Sequence, residues 1–245
     1  MHDIFGFDLL PVSIWLLISA SMVQLVLFDI DGTLIHTGGA GVKAFAKVFE
    51  TEFNAVDGFD RVKFAGRTDV SLVRELFQLY RIPVIPENFE RFFERYAFWL
   101  DELLRHGKMV LCPGVREFIR DLKALPNPPV LGLLTGNIRL GAEIKLRQAQ
   151  LWDEFETGGF ADDHEMRDQI AVAARDRGSR LLGKALSGDE VVVVGDTVHD
   201  IRCGRAIGAK VLAVATGGAP YAELESHQPN WVVRDLSEIR AEEVV

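Results

Sequence analysis

Four short runs of consecutive apolar residues, separated by longer stretches with helical periodicity, constrain the fold of this chain more than any other feature. Continuous apolar runs of four or five residues are typical of strands that are buried on both faces of a parallel sheet. A weaker run at 231–233 has the same character. The four strong runs lie at residues 25–28, 130–134, 191–194 and 211–214.

Between these runs, apolar residues recur at helical spacing in the segments 140–151, 169–182 and 201–207. Gly208 directly follows the last segment and is predicted to cap its helix at the C-terminus. Strands that alternate with helices form right-handed crossovers. The predicted fold class is therefore α/β, with a doubly wound, Rossmann-like parallel sheet.

The chain between the first two strong runs is too long for a single crossover, and its middle carries aromatic and charged residues at helical spacing. We therefore predict an inserted helical cap domain at 38–108, since about 70 residues suffice for a small domain. The catalytic core would then comprise residues 22–37 and 109–245. The aromatic stripe at 92–99 is predicted to form the interior of the cap rather than a cofactor site.

Residues 1–21 are predicted to be an N-terminal extension. The apolar stretch at 12–18 is too short to span a bilayer, which needs about 20 apolar residues. Acidic residues near the start provide none of the positive charge of a signal peptide. We expect a dispensable leader upstream of Met22, with a packed extra helix and an export signal or membrane anchor as the alternatives.

The charge balance argues against two classes of partner. Lys and Arg number 27 against 36 Asp and Glu, and the formal net charge of −9 disfavours a nucleic-acid backbone or an anionic membrane as the main partner. Cys112 and Cys203 form no CxxC pair, so a reducing compartment, and hence a cytoplasmic location, is predicted. The sequence indicates no particular oligomeric state.

Three of the strong runs end at a polar residue that glycine or a short turn follows. Asp29 and Asp31 come after the first run, Thr135 after the second and Asp196 after the third. Any one of these residues could simply cap a helix. The carboxyl ends of parallel strands, however, line one crevice in which open α/β sheets bind ligands, so the three ends together predict a site.

The acidic residues of this crevice predict a metal. Asp29 and Asp31 are two residues apart, so on an extended strand they point to the same side, about 7 Å apart at Cα. Asp196 and, one helical turn later, Asp200 would add two carboxylates. Four close carboxylates raise one another's pKa unless a cation neutralises them, and oxygen-only ligands favour Mg²⁺. The six histidines form no group with the ligand spacing of a zinc site.

A carboxylate beside Mg²⁺ can act as a nucleophile, and a second carboxylate can move the proton. With a metal that shields negative charge, these groups suit phosphoryl transfer. Backbone N–H groups around Gly32 and Gly136, together with the Thr135 hydroxyl, are predicted to cradle the phosphoryl oxygens. The neighbouring Thr33 and Asn137 complete the predicted substrate-binding set.

The segment DIDGT at 29–33 resembles the first signature of the haloacid dehalogenase-like superfamily, the DxDGT element of its phosphatases. Thr135 resembles the second signature, and GDTVHD at 195–200 resembles the fourth. The position of the predicted insert is similar to that in members with a helical cap. The resemblance covers about residues 22–220, and an ordered set of motifs is a specific signal.

The resemblance implies a role for each matching position. Asp29 would be the nucleophile that forms an aspartyl-phosphate, and Asp31 would be the general acid/base. Thr135 would hold the phosphoryl group. Asp29, Asp196 and the backbone carbonyl of Asp31 would bind Mg²⁺, while Asp200 would orient the metal site or its waters.

The third signature, a basic residue that neutralises the phosphoryl group, is ambiguous, because the Lys-Pro pair that the family often shows is missing from this stretch. Lys145, ten residues after Thr135, and Arg167, at the opening of the next predicted helix, are the two candidates. Either could instead be a solvated charge on a helix. The prediction slightly favours Lys145 as the direct contact and keeps Arg167 beside it.

A predicted helix of the cap starts near Arg67, with Thr68 as its N-cap. In similar capped members a loop at this place faces the active site, so Arg67 could grip a carboxylate or a second phosphate of the substrate. A surface arginine at a helix start is the alternative. Gly38, Gly39 and Gly41 are predicted to form a hinge for cap opening.

These residues predict a Mg²⁺-dependent phosphatase whose partner is a small phosphorylated metabolite, such as phosphoglycolate. A phosphomutase shares every motif and is the alternative. A haloacid dehalogenase is disfavoured, because members of that type resemble this chain without Asp31 and need no metal. A non-catalytic module that binds a phospholigand would typically lack a carboxylate, and none is missing here.

Overall fold

The computed structural model describes residues 22–56 and 62–245, and the predicted N-terminal extension at 1–21 lies outside the described residues. All five apolar runs that were predicted to be strands form strands. In chain order the strands are β1 (Leu25–Phe28), β2 (Ile35–His36), β3 (Val110–Leu111), β4 (Val130–Leu134), β5 (Thr157–Gly159), β6 (Val191–Gly195), β7 (Lys210–Val214) and β8 (Trp231–Val233).

Six strands form one parallel sheet in the order β5-β4-β1-β6-β7-β8, which confirms the predicted α/β class. β1 lies inside the sheet, and its Leu25 is opposite Val130 on one side and Val191 on the other. Every residue of β1 is fully buried, because a strand covered on both faces needs apolar side chains on both. The edge strand β5 escaped prediction, since its sequence TGG is not an apolar run.

The helices also follow the predicted alternation. The helix predicted at 201–207 begins earlier, because the Thr197 side chain and Asp200 form a capping box at its start. Gly208 has a φ of 71°, as the residue that ends a helix commonly does. The helices are α1 (Ala40–Phe53), α2 (Asp69–Leu79), α3 (Pro86–His106), α4 (Val115–Ala124), α5 (Arg139–Gln148), α6 (Arg167–Leu182), α7 (Val198–Ala206) and α8 (Tyr221–Ser226).

Helices α1, α2 and α3 lie between β2 and β3, which pair antiparallel, and we call residues 40–106 the helical insert. Its interior is aromatic, as predicted. The ring of Phe45 lies 4.9 Å from those of Phe92 and Tyr96, between centroids and in edge-to-face geometry. Such pairs add to the gain from burial. The domain boundaries at 38 and 108 stay a prediction.

The start of α2 joins the helical insert to the carboxyl end of the sheet. The Thr68 hydroxyl donates to the carbonyl of Glu165, which precedes α6, over 2.9 Å. The N–H of Asp69 donates to the carbonyl of Gly136, which follows β4, over 2.7 Å. The insert is therefore held directly above the loops that follow the strands.

Among residues 22–56 and 62–245, none of the helices combines the length and the apolar character that a membrane span requires.

Candidate active site

A cavity of about 340 Å³ lies between the helical insert and the carboxyl ends of β1, β4 and β6. Asp29 and Asp31, directly after β1, both line it, so the same-side arrangement expected from their spacing holds. The N–H of Asp29 donates to the Val194 carbonyl over 2.9 Å, which ties the start of this loop to β6. Asp29 is buried, whereas the side chain of Asp31 is 42% exposed.

Two further carboxylates come from the end of β6 and the start of α7. Asp196 accepts the Thr33 hydroxyl on Oδ1 over 3.0 Å and the Gly218 N–H on Oδ2. Asp200 accepts the N–H and the hydroxyl of Thr197 on Oδ2, over 3.0 and 2.6 Å. Both carboxylates are buried and fixed by these donors, so the local fold sets their orientation.

Asp29, Asp196 and Asp200 form one acidic cluster, in which one oxygen from each lies within 4.8 Å of the others. Burial raises the pKa of Asp29 well above its usual value, and Asp200 and Asp196 raise it further, while Arg167 opposes the shift. Burial and Asp200 raise the pKa of Asp196 to about 7. A hard divalent cation fits this all-oxygen donor set and would relieve the repulsion within it.

Arg167, the first residue of α6, is the cation beside this cluster. Its Nη2 contacts Oδ1 of Asp29 over 3.3 Å and also contacts Oδ1 of Asp200. Burial lowers the pKa of the guanidinium, but Asp200 and Asp29 outweigh burial and raise it overall. Its Nε is buried and has no hydrogen-bond acceptor among the described residues. The structure thus places Arg167, and not Lys145, against Asp29.

Lys145 instead reaches the opposite side of the cavity. Its buried Nζ donates to Oδ2 of Asp31 and to Oδ1 of Asn137, over 2.6 Å in each case. The Asn137 amide donates in turn to the same Asp31 oxygen over 2.8 Å. Two donors therefore hold Oδ2 of Asp31, whereas no donor among the described residues is bonded to its Oδ1.

Thr135 lies at the end of β4 and is almost fully buried. Its Oγ1 accepts the Asn137 N–H over 3.3 Å and the Asn137 amide over 2.8 Å. Because both bonds use the oxygen as an acceptor, the hydroxyl proton is left to donate into the cavity. Gly136 lines the cavity beside it, and a Cβ there would lie 2.2 Å from the Arg67 carbonyl oxygen, so only glycine fits.

Gly32 and Thr33 lie in the turn after β1. Gly32 has a φ of 89° and donates its N–H to the Ile35 carbonyl over 2.9 Å, within the turn after β1. Thr33 is fully buried and its hydroxyl supports Asp196. Both residues therefore stabilise the loop that carries the carboxylates. Gly32 also lines the cavity, and contact of either residue with substrate stays a prediction.

Arg67 lines the cavity, but its guanidinium is already engaged. Nη2 pairs with Glu75 over 2.8 Å, and Nε donates to the Ser71 hydroxyl over 3.3 Å. The predicted N-cap is confirmed, since Thr68 Oγ1 accepts the Ser71 N–H over 3.2 Å. The predicted grip of Arg67 on a substrate anion stays a prediction.

Two residues of the helical insert escaped the sequence prediction and line the same cavity. Asp69 accepts the Ile138 N–H over 2.8 Å, and burial raises its pKa to about 7, against opposition from Lys145. Tyr96 had been assigned only to the aromatic interior. The sequence could have indicated both residues, because each places a polar group on a helix face that is otherwise apolar. For Tyr96 this indication was obscured, since the residue lies among other aromatic residues of the same helix.

Comparison with known proteins gives a family model and several similar proteins. The family model described as haloacid dehalogenase-like hydrolase matches residues 26–214. A relative named "Probable phosphatase IndB", from Dickeya dadantii (strain 3937), is 26% identical over 222 residues, which cover 89% of this chain and 92% of the relative.

A second relative, named "Pyrophosphatase PpaX", from Bacillus cereus (strain AH820), is 27% identical over 226 residues, which cover 89% of this chain and 94% of the relative. A solved structure of a hydrolase from Pseudomonas syringae aligns with a TM-score of 0.67 at 21% identity. It covers 89% of this chain and 100% of that chain, so the two proteins share their fold.

Proposed function

The chain belongs to the haloacid dehalogenase-like hydrolase family, and we propose that it is a Mg²⁺-dependent phosphatase that hydrolyses a small phosphomonoester through an aspartyl-phosphate. One observation carries the proposal. The carboxylate of Asp29 belongs to a buried cluster of three acidic residues and opens into the cavity that Asp31 and Thr135 also line. A nucleophile, a proton carrier and a phosphoryl-binding hydroxyl would thus meet in one place.

Asp29, Asp196 and Asp200 would hold the metal ion, since their oxygens converge and their burial leaves negative charge to be neutralised. When bound, Mg²⁺ would shield the negative charge of the phosphoryl oxygens from that of the nucleophile. The carbonyl ligand from Asp31 stays a prediction.

In the first step, an oxygen of Asp29 attacks phosphorus and the bond from phosphorus to the ester oxygen breaks. Asp31 gives its proton to the departing oxygen, which leaves as an alcohol. Lys145 and Asn137 hold Oδ2 of Asp31, so Oδ1 is the oxygen that carries this proton. Thr135 donates its hydroxyl proton to a phosphoryl oxygen.

In the second step, Asp31 takes a proton from water as the water oxygen attacks phosphorus. The bond from Asp29 to phosphorus breaks, inorganic phosphate is released, and both carboxyl groups return to their starting states.

We assign the neutralising role of the third signature to Arg167, which touches Asp29, and a positioning role to Lys145, which touches Asp31. This assignment reverses the preference drawn from the sequence. A guanidinium also offers several fixed donors, which suits the planar spread of phosphoryl oxygens.

The size of the cavity, about 340 Å³, favours a small phosphorylated metabolite as the substrate. A cytoplasmic location is proposed with it. Cys112 and Cys203 are both free and buried, as in a chain that needs no disulfide.

Phosphate release from a panel of phosphomonoesters tests the proposal. We expect release with Mg²⁺ and none in EDTA, and Asp29→Asn should lower kcat by at least about 10³-fold, the scale on which loss of a nucleophile acts. Asp153→Asn is the matched control, since this side chain is 92% exposed and should leave kcat unchanged.

Circular dichroism and Tm must show that both variants fold. Dehalogenation that persists in EDTA would contradict the proposal. Interconversion of sugar phosphate isomers with little free phosphate would assign the chain to the mutases instead.

A further inference from the structure

Tyr96, on helix α3, presents a polar group that has no partner. The residue is 1% exposed and lines the cavity, yet its hydroxyl makes no hydrogen bond to any described residue. Its ring is fixed, because it lies edge-to-face on Phe45 at 4.9 Å and stacks on Phe92 at 6.1 Å. Because Tyr96 lines the cavity, its hydroxyl keeps a free donor there, and an oxygen of a bound ligand can accept from it.

Lys145 has a donor to spare at the same place. An ammonium group carries three N–H donors, and the described residues accept two of them, Asp31 and Asn137. The third donor is available to a ligand.

Gly41, on helix α1, leaves the space between these two groups open. A Cβ at this position would lie 3.7 Å from Nζ of Lys145 and 3.8 Å from the hydroxyl oxygen of Tyr96. Apart from the adjacent residues and the nearby backbone of α1 itself, no other described atom would lie within 4 Å. The space beside Gly41 is therefore a niche bounded by two polar groups, the Lys145 ammonium and the Tyr96 hydroxyl. The niche lies on the leaving-group side of the reaction, because Nζ of Lys145 is 2.6 Å from Oδ2 of Asp31, the residue that would protonate the departing oxygen.

We propose that this niche binds the leaving group of the substrate, and that it selects phosphomonoesters in which an acceptor oxygen lies within a few bonds of the ester oxygen. The inference rests on the proposed phosphatase function. Lys145 and Tyr96 would both donate to that acceptor, which is a carboxylate, carbonyl or hydroxyl oxygen.

One further observation favours Tyr96 as a donor. Burial, with Asp69 and Asp31, raises the pKa of Tyr96 well above its usual value, so the phenol keeps its proton at every pH at which the enzyme would work.

Two matched pairs of esters test the selection. Phosphoglycolate is compared with ethyl phosphate, and glycerol 3-phosphate with propyl phosphate, so that the first pair reports a carboxylate and the second a hydroxyl. The full chain should show a higher kcat/KM for the acceptor-bearing member of at least one pair. The pair with the larger ratio identifies the kind of oxygen that the niche binds.

Tyr96→Phe keeps the ring and removes the hydroxyl. It should lower kcat/KM for the favoured ester by about tenfold, mainly through KM, and leave its alkyl partner unchanged. Gly41→Ala should lower kcat/KM for the same ester without lowering Tm, since the added methyl fills the niche at ordinary contact distances. Tyr221→Phe is the matched control, because Tyr221 lies on α8, outside the cavity, and is 37% exposed.

The inference is overturned if the full chain hydrolyses both members of both pairs equally, or if Tyr96→Phe changes the ratio by less than about twofold. Either result would leave the phosphatase proposal intact. A chain that releases phosphate from no ester, with or without Mg²⁺, would instead overturn the proposed function and the inference with it.

Discussion

The interior of the helical insert and the cavity beneath it are both buried, but they bury opposite kinds of side chain. In the insert, Phe92 lies 4.9 Å from Phe45 and 5.2 Å from Phe49 between ring centroids. In the cavity, Asp29 and Asp196 are almost as buried, and burial raises the pKa of both. Burial of the rings lowers the free energy of the folded chain. Burial of the carboxylates removes hydration that a cation must replace.

Stability and function therefore depend on different parts of the molecule. The insert follows the general rule that apolar groups go inside, so its packing should contribute to the free energy of unfolding. The cavity breaks that rule at several neighbouring positions, which is typical of sites that serve a reaction. Substitutions in the insert should therefore change stability first, and substitutions in the cavity should change function first.

The largest expected effect on stability is that of Phe92→Ala. The side chain is fully buried among other rings, so its loss leaves a void and should lower the free energy of unfolding by about 3–5 kcal/mol. Urea titration measures the change. Phe98→Ala is the control, because Phe98 is 57% exposed and should shift stability by less than about 1 kcal/mol. Equal losses of unfolding free energy in the two variants would show that the packed interior of the insert is not a special source of stability.

Asp196→Asn should weaken Mg²⁺ binding by about 100-fold, since loss of a ligand should cost at least as much as loss of an outer-shell partner. Stability should change little. The Asn oxygen can still accept the Gly218 N–H, its amide can donate to Thr33, and a buried charge is removed. Mg²⁺ titration by calorimetry and Tm without metal measure the two effects, with Asp153→Asn as control. Unchanged affinity would remove Asp196 from the metal site.

Asp69→Asn should make stability less dependent on pH. Burial raises the folded-state pKa of Asp69 to about 7, above its unfolded value, so its contribution to stability is present at low pH and is lost as pH rises through 7. Between pH 6 and 8 that loss is about 1 kcal/mol. The Asn oxygen can still accept the Ile138 N–H, so the variant should lack this loss.

Urea titrations of both chains at the two pH values give the difference. Asp101→Asn, an exposed change on α3, should behave like the unaltered chain. A variant with the same pH slope as the unaltered chain would show that Asp69 does not titrate in this range.

The smallest effect is that of Gly41→Ala on stability. Alanine restricts the unfolded chain and favours the helix, so Tm should rise, by the equivalent of at most about 1 kcal/mol. Ala46→Gly, elsewhere in α1, should lower Tm by a similar amount. A fall in Tm for Gly41→Ala would show that the niche is already filled, and the contrast between a packed insert and an open cavity would weaken.

The parts of the fold that sequence predicted well are those with strong local patterns. β1, β4, β6 and β7 are continuous apolar runs, and a buried parallel strand requires that pattern. β5 escaped because an edge strand of TGG is held by backbone pairing to β4 and carries little side-chain signal.

The site was predictable where residues follow a strand and was less so where they cross from another element. Asp29, Asp31 and Asp196 share the cavity because parallel strands bring their ends together. The choice between Lys145 and Arg167 depended on which helix points its first turn at Asp29, and periodicity does not report that direction. Tyr96 was taken for packing alone, since only the position of the helix above Gly41 shows that its hydroxyl reaches the cavity.

The central place of β1 also has a consequence for how the protein is made. This strand leaves the ribosome first among the strands of its sheet, yet its two neighbours are encoded at 130–134 and 191–195. In a nascent chain that ends before residue 191, one edge of β1 therefore has no partner strand, and its backbone groups can pair with another chain. We expect truncated products to aggregate rather than to show partial activity, and productive folding to wait until most of the polypeptide has emerged.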